Sequence, residues 1–266
     1  MVRSFIVSKK LMKFLCPQPL MPNLPPLIYL PGLDGTGELF HRQAPSLSRF
    51  FNIYCLSLTL TDKSIWPILT QQILNLTKKA IADQEIYLCG ESFGGCLALH
   101  LALQTQIKIK QLILINPASS LSRSPWLRWG SSLSQWLPAN FHSTTTLGFL
   151  PFLASLNRLE KSDRGHLLRA MRSVSPEVVS WRLGLLRDLA IPVQQLQQIQ
   201  SPTLILASRQ DRLLPSVDEG IFLRSLIPQA RLAVLPDSGH ACLLEQNVSL
   251  TEIFQHQGLL PRTINP

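Results

Sequence analysis

Ile86-Tyr87-Leu88-Cys89-Gly90-Glu91-Ser92-Phe93-Gly94-Gly95-Cys96 leads into a run that stays almost wholly apolar to Leu103. The four residues before Gly90 have the bulk of a buried strand, and those after Gly95 suit a buried helix. Between them lies the spacing G-x-S-x-G. A serine at the tip of so sharp a strand-to-helix turn is held in strained torsions. Only small residues two places before and after it leave room for the turn. Such an elbow lifts the Ser92 hydroxyl clear of the sheet and aims the first amides of the helix at whatever that hydroxyl attacks. The same spacing also arises by chance as a plain glycine-rich connection, so its meaning depends on its surroundings.

Upstream, Leu27 to Leu30 reads as a short buried strand followed by Pro31-Gly32-Leu33-Asp34-Gly35-Thr36-Gly37. Glycines directly after a strand let the backbone bend tightly and expose amides suited to an oxyanion. A phosphate loop is the weaker reading, because no Gly-Lys-Ser/Thr follows and the spacing is not G-x-G-x-x-G. Residues 38 to 49 can form a helix, and Asn52 to Leu58 reads as the next strand. Ile65, Leu69, Ile73, Leu76 and Ala80 then recur at helical spacing. Downstream of the elbow, Leu112 to Ile115 is another apolar strand, ending in Asn116-Pro117. Strands and helices alternating in this rhythm predict an α/β fold with a mostly parallel sheet covered by helices on both faces.

Between Ala118 and Gln200 the rhythm stops. Helices are expected around 160 to 174 and 177 to 189, and Trp126, Trp129, Leu133 and Trp136 fall on one helical face. This stretch without strands reads as a helical cap over the site. The αβ pattern resumes with a strand at Thr203 to Ala207, a helix near Val217 to Leu226, a strand at Leu232 to Leu235 and a last helix near Val248 to Gln257. The expected organisation is one domain, with core residues 27–118 and 201–257, a cap at 119–200 and a proline-rich, loosely held lead-in at 1–26.

The 266 residues carry a net charge of +9, and 45% of them are apolar. The length is ample for a large core. From Ser92 to Leu159 there is no acid, while Lys108, Lys110, Arg123, Arg128 and Arg158 are present; the first thirteen residues add Arg3, Lys9, Lys10 and Lys13. Basic residues interleaved with Trp126, Trp129, Trp136 and Phe141 suit an anionic membrane surface better than a duplex groove. Peripheral contact with an anionic membrane through the cap and N-terminus is therefore expected, and no nucleic acid. A generally basic soluble protein is the competing reading. The five cysteines, Cys16, Cys55, Cys89, Cys96 and Cys242, read as buried thiols in a reducing, cytoplasmic setting. No spacing of His and Cys suggests a metal site, no secretory signal is recognisable, and no apolar run reaches the roughly eighteen residues of a membrane span.

A serine hydroxyl attacks at neutral pH only when a base takes its proton, and that base must itself be held by an acid. After an elbow of this kind the acid and then the histidine follow along the chain. Asp211 lies four residues past the strand ending at Ala207, and His240 follows the last strand within Asp237-Ser238-Gly239-His240. Both sit just beyond the carboxyl ends of strands, where Ser92 also emerges. His41, His100, His142, His166 and His256 fall on helices or in the cap, Asp218 falls in a helix, and Asp237 is too close in sequence to reach the far ring nitrogen easily. The expected catalytic set is Ser92, Asp211 and His240, with the amides of Leu33 and Phe93 as oxyanion donors. The chemistry is acyl transfer to water or an alcohol without a cofactor or metal.

The runs LPGLDGTG (30–37), CGESFGGCLAL (89–99), NPASS (116–120), ILASRQDRLLPS (205–216) and LPDSGHACLLE (235–245) resemble the α/β-hydrolase half of the phytyl ester synthase and diacylglycerol acyltransferase proteins of chloroplasts and cyanobacteria. The resemblance implies an α/β-hydrolase fold, a triad of Ser92, Asp211 and His240, an acyl-lipid substrate as partner, and transfer of long acyl chains onto phytol, diacylglycerol or similar alcohols. Larger members carry an acyltransferase half with an H-x-x-x-x-D motif, and no histidine here has Asp five residues later. A second departure is that too few residues precede Leu27 for the two leading strands of a full hydrolase sheet, so the sheet is expected to begin at Leu27. Two alternatives stand beside lipid acyl transfer: a soluble carboxylesterase or thioesterase for small acyl groups, and a hydrolase-fold ligand-binding protein without catalysis. Oligomeric state is not legible.

Overall fold

The computed structural model describes residues 12–123 and 156–261. Along the chain they form β1 (Lys13–Leu15), β2 (Pro26–Leu30), α1 (Ala44–Leu47), β3 (Asn52–Ser57), α2 (Trp66–Ile81), β4 (Ile86–Glu91), α3 (Phe93–Ala102) and β5 (Ile109–Ile115). After these come α4 (Lys161–Ser173), α5 (Pro176–Arg187), α6 (Val193–Leu196), β6 (Thr203–Ser208), α7 (Ser216–Leu226), β7 (Ala230–Leu235) and α8 (Leu250–His256). The seven strands make one sheet in the order β1-β3-β2-β4-β5-β6-β7. Every pairing is parallel except that of β1 with β3.

Strand side chains alternate between faces, so a sheet covered on both sides divides its apolar residues between two cores. Ile28, Leu30, Leu56, Leu88, Leu112, Leu114 and Ile205 face α2, α3 and α7. Their neighbours Leu27, Tyr29, Ile53, Cys89, Ile113, Leu204 and Leu206 pack with Phe40, Leu47, Phe51, Leu250 and Phe254 on the other face. A third, smaller cluster joins Leu167 and Ala170 of α4 to Leu39, Ala241 and Leu244. That cluster seats a cap helix beside the segment that carries His240.

The expected α/β architecture is the one found, with four departures. The sheet begins upstream of Leu27: β1 pairs with β3 through Lys13↔Ser57, Phe14↔Leu56 and Leu15↔Cys55. The lead-in is also tied down by Asn52, whose side-chain amide donates to the carbonyls of Met21 and Leu24 and accepts from the Met21 N–H. The single helix expected over 38–49 is instead a 3-10 turn at Glu38–Phe40 and the short α1. Pro45 at the start of α1 lacks the N–H that a helix continuing from residue 41 would need. The buried stripe of α2 runs through Trp66, Leu69, Thr70, Ile73, Leu74, Thr77 and Ile81, rotated from the expected one, and Ile65 and Ala80 are exposed. Finally, Cys16 is exposed, while the other four cysteines are buried free thiols.

The cap helices expected near 160–174 and 177–189 are α4 and α5. The tryptophan stripe at 126–136 lies outside the described residues. Among the described residues no helix is long and apolar enough to cross a membrane.

Candidate active site

The elbow is built by close backbone approach. A Cβ on Gly94 would lie 2.1 Å from the Leu30 carbonyl oxygen, so only glycine lets α3 start this near β2. Ser92, the turn residue, has φ 52° and ψ −113°, outside the ordinary regions for an L-residue. Its carbonyl accepts from the amides of Gly95 and Ala118, which hold the tip in that conformation. Ser92 is 8% exposed.

The three residues expected to meet do so. Ser92 Oγ lies 2.9 Å from His240 Nε2, and His240 Nδ1 lies 2.7 Å from Asp211 Oδ2. Sequence separations of 148 and 29 residues are thereby closed by hydrogen bonds at one edge of the sheet. Asp211 is held from its other sides as well. Its Oδ1 accepts from the amides of Leu213 and Leu214 at 2.9 and 3.0 Å, and Oδ2 also accepts from the Ser216 hydroxyl. Burial raises the Asp211 pKa, but the facing His240 charge and hydrogen bond, with Ser216 and Leu214, outweigh it and hold the carboxyl below its ordinary value. Burial likewise works against the charged form of His240, yet Asp211 and then Glu91 raise its pKa above that of free imidazole. Each partner thus favours the charged form of the other, so an imidazolium formed at His240 is stabilised by Asp211.

Asn116, at the carboxyl end of β5 with φ 42°, braces this arrangement from beneath. Its side-chain amide donates to Ser208 Oγ and the His240 carbonyl at 2.9 and 2.8 Å, and its oxygen accepts from the Ser208 amide at 2.8 Å. One fully buried side chain thus ties the ends of β5 and β6 to the histidine loop. The Gly239 amide donates to Glu245 Oε1 at 2.8 Å, which fixes the same loop from its far side. The sequence signal for Asn116 was an Asn-Pro pair ending an apolar strand.

The glycine loop lies against the elbow, since a Cβ on Gly32 would stand 3.8 Å from Ser92 Cβ. The Phe93 amide opens α3, where the first N–H groups lack intrahelical partners. Leu33 occupies the tight turn closed by the Gly35 amide on the Gly32 carbonyl at 3.0 Å. Both expected donors are therefore borne on segments adjoining Ser92.

Glu91, directly before the serine, is a site residue whose importance sequence reasoning missed. It is buried, and the Tyr29 hydroxyl donates to its Oε2. Burial is the main reason its carboxyl is pushed up to about 7; the Tyr29 hydrogen bond and His240 act in the opposite sense, and Asp34 adds to the rise. A carboxyl whose folded pKa is raised favours folding below its unfolded pKa of about 4.3, and that contribution is lost as pH rises through about 7. Glu91→Gln is therefore expected to gain stability relative to the parent by about 1–3 kcal/mol at pH 8 but not at pH 4. Urea unfolding of both proteins at the two pH values checks this, and equal differences at both would contradict it.

Away from Ser92, His41 Nε2 lies 2.8 Å from Asp163 Oδ1, and His166 Nδ1 lies 3.5 Å from His41 Nδ1. These donor types suit a metal, and three of their ligand atoms fall within 4.8 Å of one another. Arg42 Nη1, however, is 3.0 Å from Asp163 Oδ2 and sets a permanent cation against the same carboxylate. The group fits a clasp between the segment after the 3-10 turn and α4 better than a metal centre.

The sequence profile of the α/β-hydrolase fold matches residues 25–246. Phytyl ester synthase 1 of Arabidopsis thaliana chloroplasts is 30% identical over 267 residues, covering 91% of this chain and 38% of that protein. The chain thus spans well under half the length of this plant relative. A pimeloyl-[acyl-carrier protein] methyl ester esterase of Nitrosomonas europaea is 27% identical over 85% of this chain and 94% of its own length. Among solved structures, a thermophilic esterase from Thermogutta terrifontis superposes with a TM-score of 0.77 at 19% identity, covering 94% of each chain. The seven-stranded sheet, the elbow at its centre and the extent of the profile match lead to one conclusion: the chain belongs to the α/β-hydrolase family.

Proposed function

We propose that this chain is an enzyme that moves acyl groups from fatty acyl esters of lipids through a covalent acyl-Ser92 intermediate, to water or to a lipid alcohol such as phytol or diacylglycerol. The observation that carries the proposal is the unbroken hydrogen-bonded row Ser92–His240–Asp211, with 2.9 and 2.7 Å links. His240 Nε2 takes the proton of Ser92 Oγ as that oxygen bonds to the ester carbonyl carbon. The carbonyl oxygen becomes an oxyanion that accepts hydrogen bonds from the Leu33 and Phe93 amides. Collapse of the tetrahedral adduct breaks the bond to the leaving alcohol, which departs with the proton from His240. An acceptor hydroxyl then gives its proton to His240 and attacks the acyl-serine, and Ser92 leaves as the alcohol again.

Lipid substrates are favoured by the plant relative, which is a phytyl ester synthase, and by the acid-free basic stretches, which suit an anionic lipid surface. A second reading, hydrolysis of a small acyl ester, draws on the bacterial methyl ester esterase, which aligns over nearly its whole length. Product analysis by mass spectrometry decides between them. The protein is incubated in vesicles with a long-chain diacylglycerol or galactolipid plus phytol. Phytyl ester or triacylglycerol is expected if the lipid alcohol is the acceptor, and free fatty acid alone if water is. Turnover confined to short acyl esters would overturn the lipid reading in favour of the second.

A further inference from the structure

Arg182 lies on α5, a cap helix, yet it is only 2% exposed and its head reaches down to the elbow. Its Nη1 donates to the Leu33 carbonyl at 2.8 Å, and its Nη2 to the Thr59 carbonyl at 3.4 Å. The guanidinium carbon stands 5.9 Å from the centre of the Phe93 ring, within cation–π reach. Gly35 clears the space: with φ +67° and no Cβ, it leaves room for Nη1 where a methyl group would come within 2.5 Å. Among the described residues no carboxylate lies within ion-pair distance of Arg182, so its hydrogen bonds go to backbone carbonyls of the loops beside Ser92. The same helix is fastened nearby by Trp66, whose indole N–H donates to the Leu185 carbonyl at 3.1 Å while its ring stacks on Phe93 at 4.9 Å.

A buried guanidinium is costly to desolvate and is retained where its planar fork fixes a geometry. Here one arm of that fork holds the Leu33 carbonyl, and the guanidinium stands over the Phe93 ring, so it lies beside both of the proposed oxyanion donors. We propose that Arg182 is a positioning residue that locks Leu33 and Phe93 in the oxyanion-binding arrangement, so that the hole is complete only while α5 is seated on the elbow. The proposal rests on the acyl-Ser92 reading above and adds the cap to it. Arg182 touches neither substrate nor the reacting atoms; it acts through the Leu33 carbonyl and the Phe93 ring. A misplacement of about 1 Å at such a site costs roughly a hundredfold in rate, and loss of a whole donor costs about 10²–10³.

The test compares Arg182→Met, Arg182→Lys and the parent on a p-nitrophenyl acyl ester. It also measures binding of an acyl trifluoromethyl ketone, which adds to a nucleophilic serine to give a tetrahedral oxyanion. Arg182→Met is expected to lose ten- to a hundredfold in kcat, with KM within about twofold and the acid limb of the pH–rate profile unmoved, and to lose ketone affinity in parallel. Arg182→Lys keeps a charge and one donor for the Leu33 carbonyl and should recover much of both losses; it also serves if the Met variant does not fold. Unchanged kcat and ketone affinity in a folded variant would overturn the proposal. So would a loss confined to KM, or a fall in kcat with ketone affinity kept. Failure of the underlying reading has a separate signature: the parent itself would show no tetrahedral adduct on Ser92, and the proposal would fall with it.

Discussion

Ser92→Ala is expected to lower turnover of a long-chain acyl ester by about a millionfold, to a residue sustained by the oxyanion amides and binding alone. The size follows from the role: without Oγ no acyl-enzyme forms, and His240 has no nucleophile to activate. The fold should be preserved, because among the described residues the hydroxyl makes one hydrogen bond, to His240, while the elbow is held by backbone contacts of Gly94 and the Ser92 carbonyl. Steady-state kinetics beside circular dichroism melts of both proteins check the pair of expectations. Retention of a tenth of the parent activity in a folded variant would remove Ser92 from the chemistry.

Asp211→Asn should cost about 10⁴-fold in kcat, for a reason visible in the hydrogen-bond pattern. Asp211 Oδ1 accepts two amides, and Oδ2 accepts the His240 ring N–H and the Ser216 hydroxyl. An asparagine keeps its oxygen on the two amides and turns its NH₂ towards His240. The ring must then accept at Nδ1 and carry its proton on Nε2, where it faces Ser92 as a donor and cannot take a proton from it. Substrate binding does not involve this carboxylate, so KM should change little. A tenfold loss, or one expressed mainly in KM, would mean that another group orients the histidine.

Much of the fold was legible because local pattern and tertiary environment agree. Ile86–Cys89 and Leu112–Ile115 are continuous apolar runs because parallel central strands are buried on both faces. The cap helices α4 and α5 lie where the sequence placed them. Misses came where a partner distant in sequence decides the outcome. β1 has only three residues, one of them an exposed lysine, and becomes a strand through its pairing with β3. In α2 the buried face includes Thr70, whose hydroxyl bonds to the Trp66 carbonyl at 2.8 Å, so a polar residue occupies the stripe that apolar spacing alone assigned elsewhere. Ser92, Asp211 and His240 announce themselves by position after strands. Their supports are harder to see: Asn116 is marked only by the Asn-Pro pair that ends its strand, and Glu91 and Arg182 are polar residues like many on a surface, which only the packed chain reveals to be buried against the site.

Covalent trapping tests the central claim most directly. The folded protein is treated with a long-chain alkyl fluorophosphonate, and the adduct is located by intact-mass and peptide mass spectrometry. The expected result is one adduct per chain on the peptide containing Ser92, absent from Ser92→Ala and formed orders of magnitude more slowly in Asp211→Asn. No adduct on the parent, or an equal adduct on Ser92→Ala, would contradict an acyl-serine mechanism for this chain.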